Sequence, residues 1–195
     1  MEILCWDNYY YLPQIQYLYK MAINSRNKGN KAERTVAKLM EKWTSKQFAR
    51  TPSSGGLNWK SANSKGDIVC TTEGHYFPFC IEVKHHAEIN FSELLIPGKK
   101  KVKVLEFWEQ CKRDALKANK IPLLFMRYNG LPNDFFFVGV SLEYSNKLKL
   151  NLKQSIIVNH LGLVIGISSE LFMLNEYKPL RITAKKLLNE TKRVK

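Results

Sequence analysis

Residues 67–84 read DIVCTTEGHYFPFCIEVK, and this stretch decides how the chain folds. Two apolar runs flank a Glu73-Gly74 turn, so residues 67–72 and 76–84 are predicted to be strands of an antiparallel hairpin. Pro78 has no N–H to give a ladder and weakens the start of the second strand. Side chains alternate along a strand, so Glu82 and Lys84 share one face while Ile81 and Val83 take the other. With Asp67 opening the first strand, two carboxylates and an ammonium converge. Such a set suits a hard divalent cation beside a cation able to hold water or phosphate.

An E-x-K pair on an exposed strand is ordinarily a surface ion pair worth less than about 1 kcal/mol. Here both charges lie in apolar text, where an idle charge pair is costly. Asp67 and Glu82 are therefore the candidate metal ligands, the Val83 carbonyl a candidate main-chain ligand, and Lys84 the group that orients water and offsets developing charge. A second metal needs another carboxylate, for which Glu33 is the candidate.

Upstream, Asn30 is positioned to cap a helix over 31–46, where Val36, Leu39, Met40 and Trp43 form an apolar stripe. Taken alone, Glu33 near its start is a solvated charge complementing the helix dipole. The tyrosine-rich text before it (Tyr9, Tyr10, Tyr11, Tyr17, Tyr19) changes character at Met21. The expectation is that translation begins at Met21 and that residues 1–20 are upstream read-through or a dispensable arm. A short strand over 47–51 ends near Arg50 and leads into the loop P-S-S-G-G. Residues 57–66 are polar and basic, a loop in which Lys65 faces solvent and a polyanion.

Downstream, Lys99, Lys100 and Lys101 belong to the densest basic cluster. Such a run is usually a solvated face, and beside a phosphodiester site it grips backbone. A helix over 105–118 precedes a buried strand over 122–128, giving a right-handed crossover with parallel pairing. Another strand follows at 135–141. Residues 156–158 and 163–168 read as strands or as one hairpin, and 181–195 as a short basic helix. The fold class is α/β, a mixed central sheet flanked by helices. The domain reading is an N-terminal extension 1–29, a core 30–145 and a C-terminal extension 146–195.

Across 195 residues the net charge is +14 and 45% of residues are hydrophobic, enough for a real core. That balance points to a polyanionic partner, nucleic acid first and an anionic membrane surface second, with no amphipathic anchor in view. None of the four cysteines stands in a C-x-x-C relation, which argues against zinc. No leader or spanning run is visible, so an intracellular, cytoplasmic setting on DNA is expected. Gly55-Gly56 lacks the Lys-Ser/Thr of a P-loop, so no nucleotide cofactor is expected. His85 and His86 are adjacent on a strand and point opposite ways, as strand-end or DNA-facing residues rather than a metal pair.

The ordered set Glu33-Arg34, Arg50 before S-S-G, Asp67, Glu82-x-Lys84 and Gln110 resembles the PD-(D/E)XK nuclease superfamily. Within it, the set resembles the archaeal-type Holliday-junction resolvases, which have phage relatives. The likeness covers about residues 30–145; Gly66 stands before the Asp where the superfamily often has Pro. The resemblance implies a restriction-endonuclease-like core and makes Glu33 a site residue. It also implies that Ser54 joins the site and that Arg34 and Arg50 contact phosphate. A Mg²⁺- or Mn²⁺-dependent endonuclease acting on branched DNA as a homodimer follows. Alternatives are another DNA nuclease of the superfamily (restriction, repair or flap type) and a non-catalytic nucleic-acid-binding protein on the same scaffold.

Overall fold

The computed structural model describes residues 11–51, 65–96, 101–147 and 155–169. In chain order the elements are α1 (Tyr11–Thr44), β1 (Phe48–Arg50), β2 (Ile68–Cys70), β3 (Phe79–His86), a 3-10 turn (Phe91–Leu95) and α2 (Lys103–Lys117). There follow β4 (Ile121–Tyr128), β5 (Phe137–Ser141), α3 (Leu142–Lys147), β6 (Ile156–Val158), a 3-10 turn (Asn159–Leu161) and β7 (Leu163–Ile167). The seven strands form one sheet in the order β1-β2-β3-β4-β5-β7-β6. Among the described strands only β3 and β4 pair in parallel, over eight register pairs from Phe79↔Ile121 to His86↔Tyr128. The predicted mixed sheet with flanking helices is the observed architecture, and α2 is the expected crossover between its two parallel strands.

Alternation along β3 and β4 divides the core in two. Ile81, Val83, Leu123 and Phe125 pack with Val36 and Met40 of α1 on one face. Leu124 and Met126 pack with Val104, Trp108 and Cys111 of α2 on the other. Glu82 shares the second face, so its carboxylate rises from the sheet toward α2.

Some boundaries differ from the sequence reading for identifiable reasons. The first helix starts at Tyr11, not at Asn30. Pro13 does not block it, because the first turn of a helix has no use for that N–H. Gly29 lies inside the helix at a cost of about 1 kcal/mol relative to Ala. Asn30 therefore caps nothing. The helix ends where Ser45 turns left-handed at φ 54°, with the Thr44 hydroxyl donating to the Met40 carbonyl at 2.8 Å. Strand β3 begins at Phe79, directly after Pro78, rather than at Tyr76. Its antiparallel pairing with β2 is confined to Ile68↔Ile81.

The late strands are a hairpin: β6 pairs antiparallel with β7, joined through Gly162 at φ 56°, and β7 pairs antiparallel with β5. The expected helix over 181–195 lies outside the described residues. Among the described residues no helix is long and apolar enough to cross a membrane.

Candidate active site

The site forms where β2 and β3 part. Asp67 is fastened on both sides by main chain. Its N–H donates to the Ile81 carbonyl at 2.7 Å, and its carbonyl accepts from the Thr51 N–H at 2.8 Å. The Thr51 hydroxyl donates to the Gly66 carbonyl at 2.7 Å, so the end of β1 clamps the peptide ahead of Asp67.

Gly66 is what permits this approach. Its φ is +96°, and a Cβ there would lie 2.6 Å from the Ile81 carbonyl oxygen. Both the conformation and the contact exclude a side chain. Gly66→Ala is expected to lower stability by about 2 kcal/mol or more, measured by urea denaturation. An unchanged midpoint would contradict this packing.

The Asp67 side chain turns toward β3, and its Oδ2 accepts the Val83 N–H at 2.7 Å. The N–H and C=O of one strand residue face the same edge. The Val83 carbonyl therefore also faces the Asp67 side and not β4. Glu82 is 4% exposed. Its Oε1 accepts from Lys84 Nζ at 2.6 Å and from Gln110 Nε2 of α2 at 2.8 Å. The Lys84 ammonium also lies 5.9 Å from the centre of the Phe107 ring, a favourable cation–π separation.

Glu33 approaches from α1, with its Oε2 ion-paired to Arg50 Nε. Arg50 Nη2 donates to Asn30 Oδ1 at 2.8 Å. Each of the three acids thus spends one named oxygen on an internal donor: Asp67 Oδ2, Glu82 Oε1 and Glu33 Oε2.

The charge arithmetic singles out Asp67. Lys84 balances Glu82 and Arg50 balances Glu33. Asp67 has a main-chain N–H but, among the described residues, no ion-pair partner. Its carboxyl is pushed up to about 7, first by burial and then by the Glu82 charge. The Val83 N–H pulls it back down, Glu33 raises it and Lys84 lowers it by smaller amounts. Crowded hard oxygen donors with unrelieved negative charge fit a divalent cation such as Mg²⁺ or Mn²⁺. Asp67, Glu82 and the Val83 carbonyl are the donors that would hold it. Among the described residues no three His, Cys, Asp or Glu side chains gather into one metal-holding group; Glu33 is ion-paired to Arg50, and its charge still acts on Asp67.

The remaining expected residues divide three ways. Arg34, Lys65 and Lys101 are exposed to solvent and touch none of the acids. Ser54, Lys99 and Lys100 lie outside the described residues. His85 and His86 take opposite sides as alternation requires: His85 Nδ1 is 3.4 Å from the Lys28 carbonyl oxygen, and the His86 ring is 6.0 Å from Phe107. The sequence reading missed two supports. Asn30 holds Arg50, and its signal was the i, i+3 spacing that places it on the same helix face as Glu33. Thr51, whose main chain and hydroxyl clamp residues 66 and 67, carried no signal.

A family model described as "Phage putative PDDEXK endonuclease" matches residues 24–187. Protein D14 of Escherichia phage T5 is 32% identical over 109 residues, which are 55% of this chain and 66% of that protein. The match thus spans just under two thirds of that relative's length. No solved structure matches significantly.

Proposed function

Since the chain belongs to the phage PDDEXK endonuclease family, a branch of the PD-(D/E)XK nucleases, we propose that it is a structure-selective DNA endonuclease resolving four-way junctions with Mg²⁺ or Mn²⁺. One observation carries the reading. Asp67 is anchored to the Val83 main chain beside a Glu82 that Lys84 and Gln110 hold in place. Nucleases of this superfamily generally use divalent metals, and a bound ion supplies a polarised phosphoryl oxygen and an acidified water.

The chain's own residues supply the rest. Asp67 and Glu82 present oxygens whose positions are fixed before substrate arrives, so little reorganisation opposes the reaction. Lys84 sits beside Glu82, where it orients a water for attack and offsets charge developing on the phosphate. Gln110 keeps the Glu82 carboxylate from turning away. Arg50, at the rim with Glu33, is the phosphate contact nearest the acids, and Arg34, Lys65 and Lys101 extend the cationic surface. Ser54, Lys99 and Lys100 are assigned to the site loop and the DNA grip on the sequence reading alone.

A four-way junction is two-fold symmetric and needs two paired cuts, so a homodimer with two sites on one basic face is part of the proposal. Shape and phosphates suffice for recognition without base reading. The experiment offers four-way junction, flap and linear duplex to the chain with Mg²⁺. Paired incisions confined to the junction are expected. Equal cutting of all three reassigns the chain to another DNA-nuclease type of the superfamily, and binding without cutting reassigns it to a non-catalytic DNA-binding role.

A further inference from the structure

Helix α1 distributes its charges unevenly. Its two acids, Glu33 and Glu41, both turn inward. Glu33 Oε2 is ion-paired to Arg50, and Glu41 Oε1 accepts the Phe48 N–H at 3.2 Å. The cations do the reverse. At 3.6 residues per turn, Lys28, Lys31, Arg34, Lys38 and Lys42 fall within an arc of about 120° centred opposite the buried Met40. All five are exposed, and none is ion-paired among the described residues. The same arc otherwise holds Asn24, Asn27 and Thr35, so from Asn24 onward it carries neither an acid nor an apolar side chain.

Helix α2 supplies the contrast within the same chain. Each of its acids meets a lysine three residues away: Glu106 with Lys103 at 3.3 Å, Glu109 with Lys112 at 2.7 Å and Asp114 with Lys117 at 3.5 Å. Opposite charges at this spacing support a solvated helix, whereas like charges three and four residues apart, as from Lys31 through Arg34 and Lys38 to Lys42, oppose it. A face that keeps five uncompensated cations is built for an anion. The missing apolar residues say which one. An interfacial membrane helix buries an apolar face in lipid, and that face of α1, with Val36, Met40 and Trp43, already fills the core. A protein interface has an apolar centre, which this arc lacks. A phosphate backbone needs cations alone. From Lys28 to Lys42 the row runs about 21 Å, longer than the major groove is wide at about 12 Å, so it reaches both phosphate edges of one groove. Glu33 lies about 160° round the helix from Lys31, so DNA on this face is not the strand at the acids.

We propose that the outward face of α1 holds the phosphate backbone of a second duplex arm while the acids take the first, a role that rests on the nuclease reading above. A branched substrate offers both arms at once and a short linear duplex offers one. The second contact becomes intramolecular once the first is made, so this face favours branched DNA.

The test reads binding, by anisotropy of labelled four-way junction and short linear duplex in Ca²⁺. The full chain carrying Lys31→Gln with Lys38→Gln is compared with Lys112→Gln with Lys117→Gln, which removes the same charge from α2. The α1 variant is expected to bind the junction about tenfold more weakly at about 0.1 M salt and to lose about 2 from the slope of log affinity against log salt, with duplex affinity within about twofold of the parent. The α2 variant stays within about twofold on both substrates. Lys31→Arg with Lys38→Arg keeps junction affinity. Gln is a good helix former and both positions are exposed, so the Tm of the α1 variant does not fall. Equal losses in the α1 and α2 variants overturn the proposal, as do equal losses on junction and duplex. Phosphatidylserine vesicles or poly-glutamate that bind the parent and not the α1 variant, with junction affinity unchanged, also overturn it and assign the face to a membrane or to an acidic protein. A Mg²⁺ cleavage assay of the unsubstituted chain decides the nuclease reading separately: an uncut junction beside the α1 loss strikes that reading and leaves the two-arm contact standing.

Discussion

Glu82→Gln lowers Mg²⁺-dependent DNA cleavage by about a thousandfold while leaving DNA binding within about threefold of the parent. The substitution keeps the shape of the side chain and removes its charge. The substituted amide still offers an oxygen to Lys84 or Gln110, so the fold and the DNA surface are retained. What is lost is the anionic donor beside Asp67. Asp67→Asn belongs to the same class, because its Oδ2 already serves the Val83 N–H and the amide oxygen takes over that bond. Gln110→Ala gives a smaller loss of about tenfold, since Gln110 fixes the orientation of Glu82 and touches no reacting atom. Rates are measured in single turnover and binding by anisotropy with Ca²⁺. Full Mg²⁺-dependent activity in either acid variant refutes the site.

The second large effect concerns the metal-free chain. Asp67 titrates near 7 in the folded protein against an ordinary 3.8, because burial and Glu82 disfavour its charged form. The folded state therefore holds a proton that the unfolded chain gives up between these two values. Stability from this group is fully present below pH 3.8 and is lost as pH rises through 7, amounting to about 4 kcal/mol. In EDTA, Asp67→Asn and the parent should be similarly stable near pH 4. Near pH 8 the variant should be more stable by up to that amount. Urea denaturation of both proteins at the two pH values measures the difference directly. A gap that does not widen with pH removes the charge crowding on which the cation fit is based. Mg²⁺ at pH 8 should stabilise the parent and not the variant, because it binds the folded acid pair.

These effects show why part of the site was legible in the sequence. The period-2 rule placed Glu82 and Lys84 together before any fold was known, and the strand–helix–strand order gave the parallel pairing of β3 with β4. Local rules failed where distant chain decided the outcome. Asn30 is a good helix cap by composition, yet it lies deep in α1 and serves Arg50, a partner 20 residues away. Gly66 looked like an ordinary loop residue. Only the approach of the Ile81 carbonyl shows that the site needs it. Glu33 was a bare candidate for a second metal until the resemblance gave it a site role, since its partner Arg50 lies 17 residues on.

The division of β3 between two faces has a consequence for folding errors. Ile81 and Val83 fill the α1-side core while Glu82 and Lys84 pair on the face toward α2. A slip of one residue would drive a carboxylate and an ammonium into the hydrocarbon core and turn two aliphatic groups toward Gln110. The charged pair and the core thus depend on the same alignment. A misregistered chain would lose its core packing and its Glu82–Lys84–Gln110 hydrogen bonds together.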